Sequence, residues 1–180
     1  VQQILRSGNV NYLVGGTGSR FESDYAATFG CKYGVAVANG SVALELALKS
    51  LGIGPGDEVI VTSYSFIASA SSVVLQGATP VFADVDKTLT LDAESISAKI
   101  TRRTRAIIAV HLLGYPCDMD RFNQLASQEG LLVVDDCAQA HGASYKGKPV
   151  GSFGDVAAFS FCQDKIMSTG GEGGMLITNK

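Results

Sequence analysis

The chain has 180 residues, of which 46% are hydrophobic and 17% charged, a composition that builds one globular domain with a substantial core and excludes disorder. Fourteen basic residues against seventeen acidic ones leave a net charge of −3, with no basic cluster to serve a nucleic acid. No stretch reaches the roughly 18 uninterrupted apolar residues of a membrane span, and the opening VQQILRSGNV has no signal-peptide core.

Strand-like apolar runs alternate with segments of helical period, the pattern of an α/β fold with a largely parallel sheet. A helix is predicted over 19–29, a strand over 33–38 and an Ala- and Leu-rich helix over 42–51. The breaker Gly54-Pro55-Gly56-Asp57 precedes a strand at 58–62. A helix at 67–76, a strand at 80–85 and a helix at 93–100 with Asp92 as its N-cap follow. Then come a strand at 106–113, a helix at 119–128 and a strand at 131–135. Beyond these the rhythm changes to short strands at 143–148 and 156–161 and a final strand at 173–178, a change of rhythm that suits an antiparallel strand. The four cysteines (31, 117, 137 and 162) lack C-x-x-C or metal-ligand spacing and read as buried thiols of a reducing cytosol. No metal site is expected.

Ligands of open parallel sheets bind beyond the carboxyl ends of the strands, so Asn39, Ser63, His111 and Asp136 are expected on one rim. Three segments there carry chemistry. At Asn39-Gly40-Ser41-Val42 a strand turns through a glycine into a helix, which makes either an anion site of hydroxyl and N–H groups or an ordinary N-cap at Ser41. The P-loop pattern and G-x-G-x-x-G after a strand are both absent, which disfavours ATP and dinucleotides. At Val133-Val134-Asp135-Asp136 two carboxylates end an apolar strand. They need a cationic partner or solvent; a protonated pyridine nitrogen, a glycosidase acid pair and Mg²⁺ are all compatible. Lys165 follows the strand Phe159-Ser160-Phe161 and precedes Gly170-Gly171-Glu172-Gly173-Gly174, where it is either a Schiff-base lysine beside a phosphate-binding Ser160 or a surface charge. The glycines let the backbone pass close to a cofactor or form a flexible turn. Phe66 could stack on a flat ligand or fill the core. His111 faces the rim, and His141 is placed as a support for the Asp136 loop.

Taken together these segments resemble the DegT/StrS sugar aminotransferases. The resemblance rests on Val134-Asp135-Asp136-Cys137-Ala138-Gln139-Ala140-His141-Gly142-Ala143, on Ser160-Phe161 with Lys165, and on Gly171-Glu172-Gly173-Gly174. Asn39-Gly40-Ser41-Val42-Ala43-Leu44, Gly54-Pro55-Gly56-Asp57-Glu58-Val59-Ile60, Gly77-Ala78-Thr79-Pro80-Val81-Phe82 and His111-Leu112-Leu113-Gly114 add to it in family order. It implies the large domain of a fold-type-I enzyme of pyridoxal 5′-phosphate (PLP), a mostly parallel mixed sheet flanked by helices, spanning residues 1–180.

It further implies a Schiff base at Lys165, Asp136 on the pyridinium nitrogen and Gln139 near the ring hydroxyl. Ser160 with Gly40, Ser41 and Val42 would hold the phosphate, and Phe66 would cover the ring. Asp135, where the family often has Glu, ranks below Asp136. The implied reaction moves an amino group from an amino-acid donor, usually glutamate, to a nucleotide-linked keto-sugar, in a cytoplasmic homodimer. The family's chains are longer, so a smaller C-terminal domain is expected after Lys180. Two alternatives remain: a non-catalytic relative that keeps the fold, and a related sugar dehydratase, which has His where Lys165 stands.

Overall fold

The computed structural model describes residues 1–180, the side chain of Leu13 excepted. Two short helices, α1 (Gln2–Ser7) and α2 (Tyr12–Gly15), open the chain ahead of the first helix expected from the sequence. They bury little, so no apolar period announces them. α3 (Thr17–Thr28) leads to β1 (Tyr33–Val37), α4 (Gly40–Ser50), β2 (Glu58–Thr62), α5 (Ala68–Leu75) and β3 (Thr79–Ala83). α6 (Ala93–Lys99) follows, capped by the Asp92 carboxylate, which accepts from the Glu94 N–H. Next are β4 (Thr104–Val110), α7 (Met119–Glu129), β5 (Leu132–Asp136), β6 (Ser144–Tyr145), β7 (Lys148–Pro149), β8 (Val156–Ser160) and β9 (Gly174–Thr178). β4 ends earlier than expected because a 3₁₀ turn, Leu112–Gly114, bends the chain away. The segment 143–148 is a two-strand hairpin with 149, separate from the main sheet.

Seven strands form the main sheet in the order β1-β9-β8-β5-β4-β2-β3. The central pairs β2–β3, β2–β4, β4–β5 and β5–β8 are parallel, while β9 is antiparallel to both β8 and β1, as expected of the last strand.

Strand alternation sorts the core into two layers. Ile108, Val134, Val156 and Ala158 pack on one face against Ala43, Leu44, Ala47 and Leu48 of α4 and Val73 of α5. On the other face Ala157, Phe159 and Ile177 meet Tyr25 and Ala26 of α3, and Ile107 and Val133 meet Ile96 of α6 and Phe122 of α7. Each such fully buried aliphatic or aromatic side chain contributes roughly 1.5–3 kcal/mol of transfer free energy. The same alternation decides the chemistry: Val110, Asp136 and Ser160 continue the α4/α5 face at the carboxyl ends of β4, β5 and β8, and Asp135 turns to the other face.

Candidate active site

A cleft of about 360 Å³ lies at those strand ends. Its walls include Gly40 and Ser41 of α4, Phe66 and Ser69 around the start of α5, Val110, His111, Asp136 and Gln139, and Ser160 with Lys165. Segments as far apart in sequence as Asn39 and Glu172 thus meet within one volume. Gly40, Ser41, Phe66, Asp136, Gln139, Ser160 and Lys165, singled out from sequence, all line it.

Asp136 forms the floor and is 5% exposed. Its Oδ2 accepts from the Ser69 hydroxyl at 2.7 Å and its Oδ1 from the Ala138 N–H at 3.2 Å. Burial nevertheless raises its carboxyl above the usual range, against the opposing pull of Ser69 and Ala138 and the fields of His111 and Lys165. Among the described residues no cation is hydrogen-bonded to it. A buried carboxylate left this way fits a cationic ligand that completes the pair.

Asp135, fully buried, accepts from the Gly154 N–H through Oδ2 at 3.1 Å, and its Oδ1 lies 3.7 Å from His111 Nε2. His111 Nδ1 accepts from the Cys117 N–H at 3.1 Å, so the ring proton sits on Nε2 and is directed at Asp135. His111, Asp135 and Cys137 hold metal-ligand-type atoms within 4.8 Å of one another, all three side chains being buried. Cys162 alone among the four thiols is half-exposed; it differs from the buried state expected because it lines the cleft, where its Sγ–H donates to Glu172.

At the other end of the cleft α4 begins. Asn39, and not Ser41, is its cap: Asn39 Oδ1 accepts from the Val42 N–H at 2.9 Å. This leaves the Ser41 hydroxyl free of the capping role, while the Val42 N–H is taken by Asn39 and Val42 is not among the residues named along the cleft. The N–H groups of Gly40 and Ser41 precede the helix's own ladder and remain directed outward. Ser160 stands against them, since a Cβ on Gly40 would come within 2.7 Å of the Ser160 Cβ. Gly174 is required for a similar reason, because a side chain there would run into the Asn39 carbonyl. Gly174 thus serves a close chain-to-chain approach, whereas Gly170 and Gly171 stand at positive φ in open space, and it is Glu172 that reaches the cleft.

Lys165 has a side chain 22% exposed and pairs with Asp164 at 3.4 Å. Phe66, 67% exposed, is a cleft wall and not core. Gln139 accepts from the Leu113 N–H at 2.8 Å through Oε1, so its NH₂ is what it can offer a ligand. His141 contacts Ser160 and Tyr25, and not the Asp136 loop. Ser69 escaped the sequence reading because its partner lies 67 positions away and a serine in a helix carries no signal of it.

An acid-floored cleft at the carboxyl ends of a parallel sheet, with a lysine on one wall and a helix N-terminus on another, is the place where open α/β sheets bind their ligands. The chain belongs to the DegT/DnrJ/EryC1/StrS aminotransferase family, whose model matches residues 1–180. It is 54% identical over 160 residues to the GDP-perosamine synthase of Caulobacter vibrioides, an alignment covering 88% of this chain and 43% of that protein. The crystal structure of an aminotransferase from Psychrobacter cryohalolentis superposes with a TM-score of 0.97 at 54% identity, over 99% of this chain and 46% of that one. A putative sugar aminotransferase of Streptococcus pneumoniae in its PLP form gives 0.87 at 34% identity, over 91% of this chain and 45% of that one. The chain thus spans about half the length of the relatives it matches. Among the described residues no helix is long and apolar enough to cross a membrane.

Proposed function

We propose that this chain is the PLP-binding part of an aminotransferase that transfers an amino group from an amino acid, with glutamate as donor, to a nucleotide-linked keto-sugar in amino-sugar biosynthesis. The observation that carries this reading is Asp136, buried at the cleft floor without a cationic partner and sharing the cleft with Lys165. Likeness to a GDP-perosamine synthase supports the substrate class. The work is assigned to a homodimer in the cytoplasm, the arrangement the family resemblance implies.

When bound, PLP supplies a carbonyl that condenses with amines and a protonated ring that withdraws electrons from the attached carbon. Asp136 would hold a ring N–H⁺, and that pair would offset the cost of burying its carboxylate. Ser160, the Ser41 hydroxyl and the N–H groups of Gly40 and Ser41 receive the phosphate at the positive end of α4. Gln139 offers its NH₂ to the ring oxygen, and Phe66 covers one ring face, excluding water. Lys165 Nζ would hold the cofactor through its carbonyl carbon, and as a free amine it would be the base that takes the proton from the donor's α-carbon.

The test is borohydride reduction of the full chain loaded with PLP, followed by peptide mass spectrometry. The cofactor mass is expected on Lys165. Its appearance on another residue, or an unchanged absorbance band in Lys165→Ala, defeats the assignment.

A further inference from the structure

We propose that His141 is a positioning residue for the phosphate corner of the cleft, carrying the placement of Tyr25 on α3 through to the backbone of Ser160 at the end of β8. The inference rests on the reading of Ser160 as a phosphate ligand. It starts from two hydrogen bonds whose directions follow from chemistry. His141 Nε2 lies 2.7 Å from the Ser160 carbonyl oxygen, which can only accept, so Nε2 carries the proton. Nδ1 is then an acceptor, and at 2.8 Å it receives the Tyr25 O–H. The relay runs from Tyr25 O–H to Nδ1 and from Nε2–H to the Ser160 carbonyl. Burial pushes the Tyr25 hydroxyl well above its usual range and holds His141 below that of a free imidazole, so both keep the neutral forms the relay needs.

The surroundings leave the relay little freedom. The His141 ring lies 5.3 Å from each of Phe159 and Phe161, and the Tyr25 ring 5.2 Å from each of the same two. Those phenylalanines flank Ser160 in sequence and turn toward α3, while the Ser160 side chain turns into the cleft. Ser160 is therefore gripped from behind by its neighbours' rings and by its own carbonyl. In front it touches Gly40 so closely that a Cβ there would be excluded. A small slip of the Ser160 backbone would change how its hydroxyl meets the N–H groups of Gly40 and Ser41. Three donors converging on one anion lose strength steeply with such misplacement.

The experiment compares binding of PLP with binding of pyridoxal, which lacks the phosphate, to the cofactor-free full chain. The ratio of the two affinities reads the phosphate corner alone, whereas general damage to the fold weakens both ligands together. His141→Leu is expected to reduce the ratio about 10-fold with pyridoxal binding unchanged. His141→Gln, whose amide keeps a donor for the Ser160 carbonyl, should recover most of the loss. Tyr25→Phe deletes a single hydroxyl and should reduce the ratio about 3-fold; it also serves if the leucine variant does not fold. Equal weakening of both ligands in the His141 variants, or an unchanged ratio in Tyr25→Phe, overturns the relay. Ser160→Ala separates the two levels of argument. If it leaves the ratio intact, the phosphate reading itself fails; if it lowers the ratio while His141 and Tyr25 variants do not, only the relay fails.

Discussion

Two buried carboxylates stand at opposite ends of the sheet, and the chain treats them differently. Glu58 begins β2 at 4% exposure, where it accepts from the Thr101 hydroxyl and pairs with Arg103. The Thr101 bond, and after it Arg103, hold its carboxyl below the usual range although burial pulls the other way. Asp136 ends β5 at 5% exposure with only a serine hydroxyl and one N–H, and burial wins. Both side chains are covered from solvent, but Asp136 lies much deeper, so depth and the partner the chain supplies together set the difference. A carboxylate satisfied by its own chain is structural. One left short of a cation is poised for a ligand.

The contrast can be broken by substitution, and the largest effect is expected at the cleft. Lys165→Ala should lower turnover by about 10³-fold or more and abolish covalent retention of the cofactor, read by steady-state kinetics and gel filtration. Asp136→Asn should cost roughly 10²–10³-fold in turnover, the scale of breaking a buried pair, with the circular dichroism of the fold retained. Near-normal turnover in that variant would remove Asp136 from the ring nitrogen. Phe66→Ala should weaken PLP binding by about 2- to 10-fold in a fluorescence titration, with Tm unchanged because the ring is exposed.

The smallest effects test the comparison most directly, through pH. Asp136 in the cofactor-free protein has a folded pKa above its ordinary 3.8, so the folded state holds the proton longer than the unfolded one. Its contribution to stability is full below that value and is lost as pH rises through the raised one. Glu58 has a folded pKa below its ordinary 4.5; its contribution is present above 4.5 and is lost as pH falls through the lowered value. Denaturant melts against pH should therefore lose the alkaline-side decline in Asp136→Asn and the acid-side decline in Glu58→Gln. Slopes of the same sign in the two variants would show that the two ends do not differ.

Much of the fold was legible because periodicity reports burial. β2, β4 and β5 carry continuous apolar runs (Val59 to Val61, Ala106 to Val110, Leu132 to Val134), as strands covered on both faces do, and the period of α7 places Met119, Phe122 and Ala126 on one side. α1 and α2 were not legible, since elements that bury almost nothing leave no pattern. At the site, Lys165, Asp136 and Ser160 were legible from their positions after apolar runs. The cap of α4 was not legible, since sequence cannot say whether Asn39 or Ser41 supplies it; the extended backbone at Asn39, φ −165°, and its bond from the Val42 N–H decide for Asn39.

The sequence by itself determined the alternation of strands and helices, the strand ends that carry acids, hydroxyls and the lysine, and the family they belong to. These are local properties, set by side-chain period and by residue type. Tertiary structure alone decided that Asn39 caps α4, that Ser69 supports Asp136 and that Tyr25 reaches Ser160 through His141. The reason is geometric. Strand alternation turns neighbours to opposite faces, and hydrogen bonds spanning 67 or 116 positions exist only once the sheet has brought their ends together.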